Sequence, residues 1–430
     1  MEHQGSSMKK KILLKGPILT RSGYGEQTRF AFRSLLSRPD LYEVYIQPLQ
    51  WGHTSWLHGI GEERALIDNL IEKTIGFIQE GGSFDMSLQV TIPNEWEKIA
   101  PVNVGYTAGI ETTHVAPEWI EASKFMDKII VVSNHSKKIY ENTEYDGTNQ
   151  ETGEPMHLAM TTEVEAVNYP VKSFKDTPDL GIDLDYDFNF LTVAQWGPRK
   201  NIQNTIKWFV EEFIDEEVGL VVKTNMAKNC LMDKMQSELN LRQLLAEFPD
   251  RKCKVYLLHG DMTDEEIHAL YVHPQLKAYV GLPHGEGFGL PFFEAAYSGM
   301  PVIATGWSGQ LDFLYDEEAV EHFYNVTFDI QPVQKEVVWP GVIVEQSMWA
   351  YPRENSSKEK MRECYEDIVG NKKPGAASEY AKKLTERFSP EKMYKKFADA
   401  VWSPTDEEIY NQDMEALKDS ADLAANIGLM

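Results

Sequence analysis

Apolar residues recur along this chain in short, compact runs, and most runs are followed by a segment with helical spacing. The first run, Ile12-Leu13-Leu14, lies within an expected strand at 11–15. A turn-rich loop over 16–25 follows. Phe30, Phe32, Leu35 and Leu36 then place apolar positions at helical intervals over 26–36. The same reasoning predicts strands at 43–49, 84–90, 102–107 and 128–132, and helices at 64–80, 119–125 and 134–142. Ser133 is suited to cap the last of these, because a serine oxygen can accept a backbone N–H of the first turn. The rhythm breaks at 144–163, which is polar, contains glycine and reads as a surface excursion. A strand end is expected at 168–171.

An acidic, proline-containing stretch at 178–187 separates this half from a second one. There, strands are expected at 190–194, 219–223, 255–258, 278–280 and 301–304. Helices are expected at 202–213, 232–247 and 291–298, and one running to Tyr271 is capped by Thr263-Asp264-Glu265-Glu266. Such alternation argues for an α/β chain built on doubly wound parallel sheets. The expected organisation is a first Rossmann-like domain at 8–180, a second at 188–403 and a C-terminal segment at 404–430 crossing back to the first. Trp339, Trp349, Tyr351 and Pro352 fall in an irregular stretch, placed either to pack the last helices or to fringe the cleft. Ser389 is expected to cap a last helix of the second domain, with Met393, Phe397 and Val401 on its apolar face. Residues 1–7 read as an added leader, with Met8 as the expected native start.

Composition narrows the class. The chain has 430 residues, room for two domains, and a formal charge of −25 from 42 Lys+Arg and 67 Asp+Glu. That balance disfavours non-specific binding to nucleic acid or anionic membrane. A basic groove formed by Lys9 to Lys11, Arg29, Arg33 and Arg38 would be the exception. No apolar run approaches a bilayer span, so no membrane insertion is expected. Three cysteines without metal or redox spacing fit a reducing, cytoplasmic setting.

The strongest chemical signal is Leu282-Pro283-His284-Gly285-Glu286-Gly287-Phe288-Gly289-Leu290-Pro291-Phe292-Phe293-Glu294. A strand delivers a glycine-rich loop, and proline suits the first position of the helix that follows. Glycines let backbone N–H groups approach a ligand, and the helix start offers partial positive charge suited to a diphosphate. Glu286 and Glu294 flank this turn with seven residues between them. A second signal, Gln195-Trp196-Gly197-Pro198-Arg199-Lys200, follows the first strand of the second half, where two adjacent cations can neutralise a diphosphate. Gly23 and Gly25 sit in the first strand-to-helix loop. Glu111 and His114 follow the strand at 102–107 and are candidates to orient an acceptor hydroxyl or take its proton; a structural role is the alternative for each.

Glu-x7-Glu in this setting, continued by Ala295-Ala296-Tyr297-Ser298-Gly299-Met300-Pro301 and by Ser308-Gly309, resembles the donor site of retaining glycosyltransferases of the GT-B fold, family GT4. The resemblance implies that Glu286 holds donor-sugar hydroxyls and Glu294 the ribose. It also implies that the amides near Phe288, Gly289 and Leu290, with those of Gly287, meet the diphosphate, that the loop of Gly23 and Gly25 faces the donor phosphates across the cleft, and that Lys200 is the family's lysine. Gln195 stands where an arginine is usual, with Arg199 placed to compensate. The implied activity is metal-independent hexosyl or pentosyl transfer from a nucleotide sugar, with no cofactor, to a hydroxyl on a glycan, a metabolite or a hydroxylated nucleic-acid base. The alternatives are a nucleotide-sugar epimerase of the same fold and a non-catalytic sugar-nucleotide-binding protein. Asp183-Leu184-Asp185 reads as solvated linker and not as a metal motif. Gly306-Trp307-Ser308-Gly309 lacks the spacing of a nucleophile elbow.

Overall fold

A computed structural model describes residues 9–52, 61–148, 153–373, 375–403, 405–407, 409 and 412. The first half comprises β1 (Lys10–Gly16), α1 (Gly23–Leu36), β2 (Tyr42–Pro48), α2 (Glu62–Gln79), β3 (Met86–Val90), β4 (Val102–Thr107), α3 (Pro117–Ser123), β5 (Lys128–Val131), α4 (Asn134–Asn142), β6 (Glu144–Thr148), β7 (Pro155–Ala159) and β8 (Glu163–Ala166). Among the described residues these form a six-stranded parallel sheet in the order β2-β1-β3-β4-β5-β8. Strands buried on both faces need near-continuous apolar runs, and Ile12, Leu14, Leu88, Val104 and Ile130 supply them.

The second half comprises β9 (Asn189–Val193), α5 (Ile202–Glu212), β10 (Gly219–Lys223), α6 (Leu231–Leu245), β11 (Lys254–Leu258), α7 (Asp264–Tyr271), β12 (Leu276–Gly281), α8 (Leu290–Tyr297), β13 (Val302–Thr305), α9 (Leu311–Leu314) and β14 (Tyr324–Val326). Its parallel sheet runs β11-β10-β9-β12-β13-β14. The strand order reverses direction between β9 and β12, and such a switch leaves a crevice at the carboxyl ends of the two strands. The first sheet has its own switch between β1 and β3. The fold is α/β, with two Rossmann-like sheets facing across a cleft.

The chain then forms β15 (Phe328–Pro332), β16 (Met348–Pro352), α10 (Glu354–Val369), α11 (Ala376–Arg387) and α12 (Pro390–Val401). Trp349, Tyr351 and Pro352 are therefore not irregular: they lie on β16, paired antiparallel to β15. Two five-residue strands separated by a long connection carry too little alternation to register in the pattern. That connection, 333–347, crosses to the first half. There Gly341 O accepts from Asn94 Nδ2 at 2.9 Å and Trp119 Nε1 at 3.0 Å, and Val342 and Val344 pack on the Ile110–Trp119 core.

Other differences are local. The surface excursion is the hairpin β6–β7. The expected strand end at 168–171 is extended chain, and the sixth strand comes earlier, as β8. Ser133 and Thr263 cap α4 and α7, the latter as a full capping box. Ser389 stands at the start of α12, but its side chain makes no capping bond. The helix α12 packs on α1 of the first half: Phe397 meets Phe30 at 5.0 Å, and Ala398 O accepts from Tyr42 Oη. Beyond it, Asp406 pairs with Lys128 at 2.6 Å and Glu407 with Lys10 at 3.1 Å. Of 404–430, residues 404, 408, 410, 411 and 413–430 lie outside the described residues. Among the described residues no helix is long and apolar enough to cross a membrane.

Candidate functional site

Both switch-point loops of the second sheet end at the same place. The backbone leaves β9 through Gln195 and a short 3-10 turn at Pro198–Lys200, with Asn201 left-handed at φ 52°. The chain leaves β12 through the glycine-rich loop. His284 N donates to Arg199 O at 2.8 Å and Asn201 Nδ2 donates to Leu282 O at 3.0 Å, so the two loops are fastened side by side. Behind them, the His284 ring stacks on Trp349 of β16, which fixes the base of the loop.

Three of the expected residues form one partly buried charge cluster around the buried Glu286, and a fourth joins from across the cleft. Lys200 Nζ pairs with Glu286 Oε1. Arg199 contacts Glu286 Oε2 through Nη1 and Glu111 Oε1 through Nη2, both at 3.2 Å. Burial alone would raise Glu286, but Lys200 and then Arg199 hold it below its ordinary value. Glu111 is raised, because burial and the nearby Glu286 outweigh Arg199. Burial lowers Lys200 in spite of Glu286. Two cations and two carboxylates balance one another here, and removing both cations would leave the buried Glu286 uncompensated.

The glycines of the loop let it close on the first half. A Cβ on Gly285 would lie 2.0 Å from Glu111 O, and one on Gly287 would lie 2.1 Å from Ala108 O. Gly289 is left-handed at φ 92° and starts α8, a conformation glycine adopts without strain. Phe288 is buried against Tyr169, Phe293 and Phe313 and anchors the turn. Ser308 carried part of the family resemblance without a role of its own, and Gln310 was not singled out by the sequence. Ser308 Oγ accepts from Glu286 N at 2.9 Å and donates to Gln310 Oε1, and Ser308 is held at φ 80°.

Glu294 is not part of the cluster. It receives the Tyr271 hydroxyl at 3.1 Å and lines a cavity of about 320 Å³ between the halves, with Leu290, Phe293 and Tyr297 of its own helix. Glu26 of α1, Lys172 of the extended chain after β8, and Asp264 of α7 line the same cavity. Burial raises Glu294 to about 7, against the pull of Lys172.

Gly23 and Gly25 lie inside the first turn of α1 and not in a loop before it, because Ser22 Oγ caps Gly25 N at 3.0 Å. Gly25 has a packing reason: a Cβ there would lie 2.1 Å from Thr20 O. His114 Nδ1 bonds Thr113 Oγ1 at 3.0 Å and touches none of the four clustered charges. Four of the residues named for an exceptional basic groove are engaged by acceptors of the chain itself. Arg29 is buried against Ile18 O, Thr20 O and Glu26; Arg33 pairs with Glu63 and Glu26; Arg38 pairs with Asp40 and Asp399; Lys10 pairs with Glu407. Lys172, on the linking chain, carried no sequence signal.

No protein-family model matches the chain, and no curated protein matches it in sequence. Solved structures match its fold. A glycosyltransferase from Rickettsia africae aligns over 93% of this chain and 100% of its own, with a TM-score of 0.58 and 10% identity. HepE of Anabaena, solved with UDP and glucose, aligns over 92% and 100%, at 0.54 and 14%. The sucrose-phosphate synthase of Thermosynechococcus elongatus aligns over 95% and 100%, at 0.54 and 13%. The fold is the GT-B fold of glycosyltransferases.

Proposed function

We propose that the chain is a retaining glycosyltransferase of the GT4 type, moving a sugar from a nucleoside-diphosphate sugar to a hydroxyl acceptor. The observation that carries this reading is the cluster of Glu111, Arg199, Glu286 and Lys200 at the carboxyl ends of β9 and β12, beside the start of α8. The fold shared with a UDP-binding protein supports the same donor class.

The first half, 8–180, takes the acceptor and the second, 188–403, the donor. The amides at Gly287, Phe288, Gly289 and Leu290 and the start of α8 receive the diphosphate. Glu294 faces the ribose from the cavity, and Glu286 holds the sugar hydroxyls. The acceptor oxygen attacks the anomeric carbon on the face the leaving phosphate departs from, and no protein nucleophile intervenes. Negative charge grows on the leaving diphosphate, and Arg199 and Lys200 are already desolvated beside it. Such preorganised charge is often the largest contribution to catalysis. Glu111, whose carboxyl is shifted toward protonation, is placed to take the acceptor proton; its location opposite Arg199 favours it over His114.

The test is thermal unfolding with UDP, GDP, ADP and their sugars, with Glu294→Ala as control. Stabilisation by one nucleotide, absent in the variant, is expected. No shift with any nucleotide would overturn the reading.

A further inference from the structure

The cavity beside Glu294 holds one cation that the catalytic reading leaves without a role. Lys172 follows the first sheet on the extended chain that leads to the second half, where Val171 N donates to Phe388 O at 2.9 Å. Its Nζ lies 3.0 Å from Glu26 Oε1, in the first turn of α1, and 2.9 Å from Asp264 Oδ2, at the start of α7. One ammonium group on the connecting chain thus joins the two halves across the cavity that Glu294 lines.

We propose that Lys172 is a positioning residue of the nucleotide site: it ties α1 to α7 around the cavity and supplies the positive charge that keeps Glu294 able to accept ribose hydroxyls. This rests on the reading of the cavity as the nucleoside site.

The surroundings make Lys172 the decisive cation. Around Glu294 stand Asp264 and Glu265 from α7, Glu26 and Arg33 from α1, Tyr271 and His268 from α7, Tyr297 from α8, and Tyr394 from α12. Arg33 is engaged by Glu63 at 2.6 Å and by Glu26 at 3.5 Å. Asp264 and Glu26 push Glu294 toward the protonated form, while Lys172 opposes burial more strongly than any other neighbour. A protonated carboxyl accepts ribose hydroxyls poorly, whereas a carboxylate accepts two charge-assisted bonds. Nucleotide affinity should therefore rise with pH through the Glu294 titration.

The experiment measures the affinity of whichever of UDP, GDP or ADP stabilises the full chain, from pH 5.5 to 9, by calorimetry on wild type, Lys172→Gln, Lys172→Arg and Glu294→Gln. Removing the one lysine charge that shares the cavity with Glu294 moves the midpoint of the affinity–pH curve upward. Lys172→Arg keeps the midpoint near the wild-type value, and Glu294→Gln flattens the curve. A uniform loss of affinity in Lys172→Gln, with the midpoint unmoved, overturns the proposal and leaves the nucleoside reading standing. A Glu294→Gln chain with the wild-type affinity and curve overturns both.

Discussion

Glu286 and Glu294 leave the same glycine-rich turn, both out of bulk water, and end in opposite electrostatic states. Glu286 meets two cations and is held ionised. Glu294 meets a phenol, two other carboxylates at a distance and one lysine, and is pushed up to about 7. Burial is common to both, so the partners make the difference. A carboxylate locked between Arg199 and Lys200 is fixed in place and charge, which suits holding a sugar at a reaction centre. A carboxyl poised near neutrality responds to what binds beside it.

The largest effect that sharpens this comparison is expected from Lys200→Ala. Turnover should fall roughly 10²–10³-fold. Arg199 remains paired with Glu286, so circular dichroism should report an intact fold. An unchanged rate would remove Lys200 from the mechanism. Next is Gly287→Ala, which places a methyl against Ala108 O. The strain should cost about 1–3 kcal/mol in denaturant unfolding and lower transfer as the halves are pushed apart. Smallest is Glu294→Gln in the absence of nucleotide. A carboxyl raised in the fold stabilises fully below its ordinary range near ~4.3. That contribution is lost as pH rises through about 7. The variant lacks the titration, so its melting temperature should gain on the wild type between pH 5 and 8, by about a degree or two. A constant difference across that range would mean that Glu294 does not titrate there.

Much of this was legible because it is local. The strand, glycine turn and helix around Glu286 follow from apolar spacing and from Pro291, and the caps at Ser133 and Thr263 from a single residue type in the right place. The pairing of Arg199 and Lys200 with Glu286 follows from the topology, since both loops leave neighbouring strands at a switch point. What stayed hidden is non-local. Lys172 has no pattern, and its meaning appears only when α1 and α7 are brought together. Glu111 was a candidate beside His114, and only the closed cleft shows Arg199 opposite it. The strands β15 and β16 are short, and the connection between them makes sense only against the surface of the first half.

That connection also bears on how such chains can be recombined. It departs from the second half, yet Gly341 O is held by Asn94 and Trp119, and Thr113 and Met348 exchange hydrogen bonds across the same seam. The helix α12 likewise belongs to the end of the chain and rests on α1. A chimaera that exchanged first halves at the acidic linker would leave both elements facing a foreign surface. The packing unit that such an exchange would have to move is therefore discontinuous in sequence: it is the first half together with 333–347 and α12.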